Sequence, residues 1–162
     1  MIKKTRIHPI FFWAACVLWA LFIFVNSMQT GNESGQMSGS VTEMINDALH
    51  SISPSLSVGH LFVRKTAHFC EFALLALLFC LAFKATLVVS DGERLPIKRI
   101  CFVLLAFPSA TAVAAIDETI QLFVEGRVGS VVDVLIDSSG AACATLVFFL
   151  TLALINRKKN KE

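Results

Sequence analysis

The sequence predicts an all-α membrane protein, with four transmembrane helices and a short interfacial amphipathic helix between the first and second. Three observations predict it. The chain contains four long apolar runs, and each approaches the about 20 residues that a bilayer-spanning helix needs. Of its 162 residues, 56% are hydrophobic and only 16% charged, with a mean hydropathy of +0.71, whereas soluble domains carry about 25% charged residues. Eleven of the 14 Lys and Arg fall in the N-terminus, the middle loop and the tail. That distribution satisfies the positive-inside rule with both termini cytoplasmic, which requires an even number of spans. Residues 1–162 read as a single transmembrane domain.

The first span is expected at about 8–26, behind Lys3, Lys4 and Arg6. It is longer than the about 7–15 apolar residues of a secretory signal, and no small-residue cleavage site follows, so it reads as a retained helix. Residues 27–35 are polar and Gly-rich and read as a loop. The pair Ser40 and Glu43 has capping-box spacing and opens the interfacial helix, about 40–52. Val41, Met44, Ile45, Ala48, Leu49 and Ile52 line one face of it, and Ser53-Pro54-Ser55 ends it. The second span is expected at about 64–84. Its clean apolar core, Phe72 to Phe83, is too short alone. The span must therefore take in His68 and Glu71 and begin at Arg64 and Lys65, while Lys84 snorkels at the far end. Residues 85–99 read as a loop.

The third span is expected at about 99–121, with Pro108 inside it as a possible kink, which membrane helices tolerate. Asp117 and Glu118 close its apolar run and Gln121 follows one turn on. Gly126 and Gly129 mark a turn around Arg127. The fourth span is expected at about 133–156. Ser130, Asp133 and Asp137 share its outer face, and Gly140, Ala141 and Ala144 permit close helix contact.

The stretch from Asp117 to Asp137 carries five acids, one Arg and one Gln between two apolar runs. Ionisable groups in or near a membrane are costly and mark either a site or tight internal pairing. With both termini inside, Asn26, Ser27 and Gln29, then Arg64, Lys65, His68 and Glu71, then Asp117, Glu118, Gln121, Arg127, Asp133 and Asp137 all come out at the non-cytoplasmic end. Small helical bundles build sites from such inward-facing side chains. Elsewhere the sequence names little. Cys16, Cys70, Cys80, Cys101 and Cys143 lie in apolar runs without CxxC spacing and read as free, buried thiols. Trp13 suits an aromatic anchor near the inner surface. His8, His50 and His60 read as solvated, no cofactor is indicated, and no dedicated metal set is expected. The basic termini are too short to engage nucleic acid. A homo-oligomer is the one protein assembly left open.

At Arg64-Lys65-x-x-His68-x-x-Glu71, and at Asp117-Glu118-x-x-Gln121-x-Phe123-x-x-x-Arg127-x-x-Ser130-x-x-Asp133-x-x-x-Asp137-x-x-Gly140, the chain resembles the VanZ-like family of bacterial integral membrane proteins. Asn26-Ser27-x-Gln29 resembles that family's N-terminal polar patch, so the likeness runs from the first span to the fourth. The family often has His where this chain has Ile120. The resemblance implies a plasma-membrane protein of the cell envelope, since the family's namesake is linked to low-level resistance to the glycopeptide antibiotic teicoplanin. It does not supply a reaction.

Three readings of the polar cluster follow. In the first, Arg64, Lys65 and Arg127 pair with Glu71, Asp117, Asp133 and Asp137 and only fix helix register. In the second, Ser27, Gln29, Arg64, Lys65, Gln121, Arg127, Ser130, Asp133 and Asp137 form a binding pocket. Its ligand would be an anionic membrane lipid or a lipid-linked wall precursor, with Arg forks on phosphate. In the third, His68 and Glu71 form an acid–base pair, with Asp117 and Glu118 beside them, for hydrolysis or transfer on a lipid-linked phosphate. Asp117, Glu118 and Asp133 are the carboxylates that would hold a divalent ion if that chemistry needed one.

Overall fold

A computed structural model describes residues 8–89 and 100–159. The basic groups Lys3, Lys4, Arg6, Arg94, Lys98, Arg99 and Lys161, with Asp91 and Glu93, lie outside the described residues. The described chain is all-helical. Its elements are α1 (Pro9–Ser27), α2 (Gly31–Ile52), α3 (His60–Val89), α4 (Ile100–Gln121) and α5 (Val131–Lys159). Four of them, α1, α3, α4 and α5, are long and apolar enough to cross a membrane. Helix α3 is longer at both ends than the 64–84 expected, so part of the expected 85–99 loop is helical. Lys84 consequently lies within α3, with its ammonium 5.8 Å from the ring centre of Phe148. Helix α4 runs through Pro108, and the Ser109 hydroxyl donates to the Leu105 carbonyl at 2.8 Å.

The four long helices pack through small side chains on the inner stripes of α3, α4 and α5. Ala106, Ala110 and Ala114 repeat every fourth residue along α4 and are fully or almost fully buried. Ala110 meets Ala76 of α3 and Ala141 of α5. Gly140 brings α5 onto α3 so closely that a methyl group there would collide with the carbonyl oxygen of Phe69. Without a hydrophobic driving force between helices in lipid, such close approach is what holds a membrane bundle together. Above this layer a larger cluster of Ile23, Phe72, Leu75 and Ala114 draws in Trp19 and Phe24 of α1. Trp13 packs edge-on against Phe83 and donates its indole N–H to Thr86 at 3.0 Å. It is therefore bound to α3. Cys16 and Cys80 are buried, but Cys70 and Cys143 are exposed on the outside of the bundle. The expectation of five buried thiols fails there, because an apolar run does not say which of its faces meets lipid.

Helix α2 also differs from expectation. It begins at Gly31, not near Ser40, because Thr30 and Glu33 form the capping box. The Thr30 backbone N–H donates to the Glu33 carboxylate at 2.9 Å, and the Glu33 N–H donates back to the Thr30 hydroxyl at 3.3 Å. The Thr30 N–H and hydroxyl, both donating to it, hold the Glu33 carboxyl below its ordinary pKa. Ser40 instead donates its hydroxyl to the Gln36 carbonyl within the helix. Ser34, Ser38, Thr42 and Asn46, spaced every fourth residue, form the face turned to the protein. Ser34 and Thr42 are buried, Ser38 meets His60 of α3 at 2.7 Å, and Asn46 exchanges two bonds with the backbone of Val58. The apolar residues Val41, Met44, Ile45 and Ile52, on the flank of that face, are exposed. A helix held to the protein by small polar groups and exposing apolar side chains beside them is suited to lie in a bilayer interface.

The glycine contacts yield a paired test. Gly140→Ala should lower the thermal unfolding midpoint of the purified protein, since overpacking costs about 1–3 kcal/mol. Gly35→Ala, on a helical position with no atom near the added methyl, should raise it, by up to about 1 kcal/mol in free energy. Equal tolerance of both changes would refute the close α3–α5 contact.

Candidate functional site

The inner stripe of each long helix changes character towards one end of the bundle. On α4 the alanines give way to Asp117, Glu118 and Gln121. On α5, reading back from Ala141, the same face presents Asp137 and Asp133. On α3 the buried Phe72 is preceded one turn earlier by His68 and then by Arg64 and Lys65. All these polar turns meet at the end of the bundle that carries the α1–α2 and α4–α5 connections.

Asp117 lies deepest and is fully buried. The Ser27 hydroxyl, from the last turn of α1, donates to its Oδ2 at 2.8 Å, and the Gln121 amide donates to the same oxygen at 3.0 Å. The Gln121 amide also lies 3.1 Å from Glu118 Oε1. The second Glu118 oxygen accepts the Ser130 backbone N–H at 2.8 Å. Ser130 thus contributes its main chain to the cluster, while its hydroxyl accepts from the Val132 N–H and caps α5.

Arg127 closes the cluster from the α4–α5 loop. Its Nε donates to the Gln29 carbonyl at 3.1 Å and a terminal nitrogen donates to the Asn26 carbonyl at 3.0 Å. The other terminal nitrogen reaches the Gln121 side-chain oxygen at 3.5 Å. Gln29 therefore supplies a backbone carbonyl rather than its amide. Burial lowers the Arg127 pKa and the nearby Arg64 charge adds to this, whereas Asp117 and Glu118 oppose it. The loop can sit this close because Gly126, at φ +71°, faces Gly31 with no room for a side chain on the Gly31 side.

Beside this network a cavity of about 210 Å³ opens between α3, α5 and the α4–α5 loop. Arg64, Lys65 and His68 line one wall, with Asp133 and Asp137 opposite and Glu118 and Gln121 at the back. Leu61, Val128 and Ile136 form an apolar rim, of which Leu61 and Val128 are exposed. Lys65 and Asp133 pair at 3.0 Å across the mouth, where both are substantially solvent-accessible, so their pairing is weak. Among the described residues Arg64 has no carboxylate within 4.0 Å. Asp137 is fully buried, and neither of its oxygens has a hydrogen-bond partner. His68 Nδ1 is likewise unpartnered, 3.9 Å from Asp137 and 3.8 Å from Glu71. Glu71 lies beyond His68, outside the cavity lining.

The structure thus gathers Ser27, Asp117, Glu118, Gln121, Arg127 and Ser130 into one network. It places Arg64, Lys65, His68, Asp133 and Asp137 around the cavity beside it. Asp117, Glu118 and Asp133 do not converge as metal ligands, and no group of three His, Cys, Asp or Glu among the described residues does so. His60, read from the sequence as solvated, is half-buried and bonded to Ser38 and to the Gly35 carbonyl. No local pattern marks that contact, because its partners come from α2 residues read as loop or left off the apolar stripe.

The guanidinium of Arg127 offers a direct check on the network. Arg127→Lys keeps the charge but loses the planar fork that bonds two carbonyls and Gln121 at once. Hydrogen bonds to charged groups are worth about 1.5–3 kcal/mol, so the variant should unfold at a clearly lower temperature than wild type. An unchanged midpoint would show that the clamp does not support the fold.

No curated protein and no solved structure matches the chain. A family model described as VanZ/LLP1 matches residues 12–153, which include every residue of the network and of the cavity wall. The chain belongs to the VanZ/LLP1 family.

Proposed function

We propose that the protein binds the anionic head group of a membrane lipid in the Arg64 cavity, at the extracytoplasmic face of a bacterial plasma membrane. The observation that carries this reading is Arg64. Among the described residues it has no carboxylate within 4.0 Å and no hydrogen-bond partner, although it lines the cavity, while Lys65 is paired with Asp133 and Arg127 is bonded to two backbone carbonyls. An arginine left without an internal anion at the end of a membrane bundle is matched to a phosphate, which its fork binds through two parallel bonds. The apolar rim gives a lipid a lateral approach. The cavity volume favours a compact head group, because it falls below the about 300–1,000 Å³ of sites that enclose drug-sized ligands. A lipid-linked wall precursor would place its phosphate there and leave its glycan outside. Both termini then face the cytoplasm, in keeping with the Lys and Arg distribution. Glycopeptide resistance of the teicoplanin type would be a downstream consequence of holding envelope lipid.

The test is lipid retention by purified protein in nanodiscs, read by native mass spectrometry. Arg64→Gln should weaken binding of phosphatidylglycerol at least about tenfold, the equivalent of one charge-assisted bond. Lys84→Gln, well away from the cavity, should leave it unchanged. Equal binding by wild type and Arg64→Gln would remove the basis of this reading.

One observation favours a second reading, hydrolysis or transfer on a lipid-linked phosphate. His68 Nδ1 lies 3.8 Å from Glu71 and 3.9 Å from Asp137, beyond hydrogen-bond distance, a spacing that a substrate-driven closure would have to shorten before the imidazole could transfer a proton. On this reading the purified protein releases product from a lipid phosphate, and His68→Gln abolishes release while lipid binding survives. Binding without turnover by wild type leaves head-group capture as the function. A folded protein with neither property reduces the cluster to a structural network.

A further inference from the structure

Most charges around the cavity are satisfied inside the protein. Lys65 pairs with Asp133. Glu118 accepts from Ser130 and Gln121. Arg127 is bonded to Asn26 and Gln29. Two groups remain without a partner, Arg64 and Asp137, and both line the same cavity without an ion pair within 4.0 Å. Three buried acceptor-capable atoms adjoin on that floor without partners: both Asp137 oxygens and His68 Nδ1. A buried carboxylate gives the phosphate on Arg64 nothing, since like charges repel at short range, so it points to a cationic group on the same ligand. A primary ammonium, by contrast, carries three N–H donors and no acceptor. Those three donors match the three unpartnered atoms in number and in sign. Arg64 lies one helical turn, about 6 Å of rise, from His68 on the same face of α3.

We propose that the cavity takes a zwitterion, with a phosphate on Arg64 and a primary ammonium on Asp137 and His68, the chemistry of an aminoethyl phosphate head group. This rests on the head-group reading above and narrows it. Selectivity then follows from N–H donors and not from net charge. A trimethylammonium group has the same charge but no N–H to give, and it is bulkier. A glycerol head group has no cation at all.

The experiment is competition in nanodiscs holding equal parts phosphatidylethanolamine, phosphatidylcholine and phosphatidylglycerol, with retained lipid counted by native mass spectrometry. Wild type should retain phosphatidylethanolamine at least about tenfold over each of the other two, which needs no variant to be informative. Asp137→Asn should erase that preference, read as the ratio of the three retained lipids rather than as their total amount. Soluble O-phosphoethanolamine identifies the source of the head group. If it displaces lipid where inorganic phosphate does not, the site also accepts the free compound; if it does not displace lipid, the bilayer is the source. The zwitterion holds in both cases provided the wild-type preference is seen. Phosphatidylcholine or phosphatidylglycerol retained as well as phosphatidylethanolamine overturns the zwitterion but spares the anionic head-group site. Loss of all Arg64-dependent lipid binding sinks the broader reading, and the zwitterion with it.

Discussion

Everything at the polar end of this bundle depends on keeping the Asp117 carboxylate buried. A carboxylate taken out of water without partners is expensive, and in a membrane it has no solvent to recruit. Here α1 supplies a hydroxyl through Ser27, and α4 itself supplies an amide through Gln121. Gln121 is in turn met by Arg127, whose remaining donors close the carbonyls at the end of α1. One buried acid therefore ties together α1, α4 and the loop leading into α5. Inter-helix polar bonds in membranes average only about 0.6 kcal/mol each. The network is better understood as fixing which groups meet than as the main source of stability.

Stability of the bundle comes from the other half of the same helical faces. The alanines of α4 and Gly140 of α5 bring backbones together where no side chain could intervene. That close packing orients the polar turns above it. Gly140 lies one turn from Asp137 on α5, and Phe69, which it touches, is the neighbour of His68 on α3. The contact that brings the helices together thus also sets the distance between Asp137 and His68. Changing the small-residue layer would displace the polar layer, even though no atom of one belongs to the other.

Much of this was legible in the sequence for physical reasons. Apolar runs of membrane length are forced by the bilayer, so the four spans could be placed to within a few residues at most ends. The inclusion of His68 and Glu71 in the second span followed from length alone, because Phe72 to Phe83 cannot cross. What was not legible has a common cause. The start of α2 was missed because Gly31 and Gly35 read as loop, whereas its capping box and a stripe of small polar residues turned to the protein make it a helix. His60 and Gln29 were misjudged since one acts through a tertiary contact and the other through its main chain. Periodicity reports faces, not which face meets protein and which meets lipid. The same limit explains Cys70 and Cys143.

The division between satisfied and unsatisfied groups is what separates a site from a scaffold. A structural network should leave no buried polar atom idle, because each idle atom retains its desolvation cost with nothing gained. The Ser27, Asp117, Gln121 and Arg127 network comes close, with only one Asp117 oxygen unpartnered. The cavity wall does not, since the Asp137 oxygens and His68 Nδ1 are buried and idle while Arg64 lines the same cavity unpaired. A bundle selected for stability alone would gain by moving Arg64 onto Asp137 and closing the gap. Instead the Lys65–Asp133 pair spans the mouth, where exposed ions separate at little cost. Cost concentrated at the floor and ease of opening at the rim are together the arrangement expected of a pocket that a ligand completes.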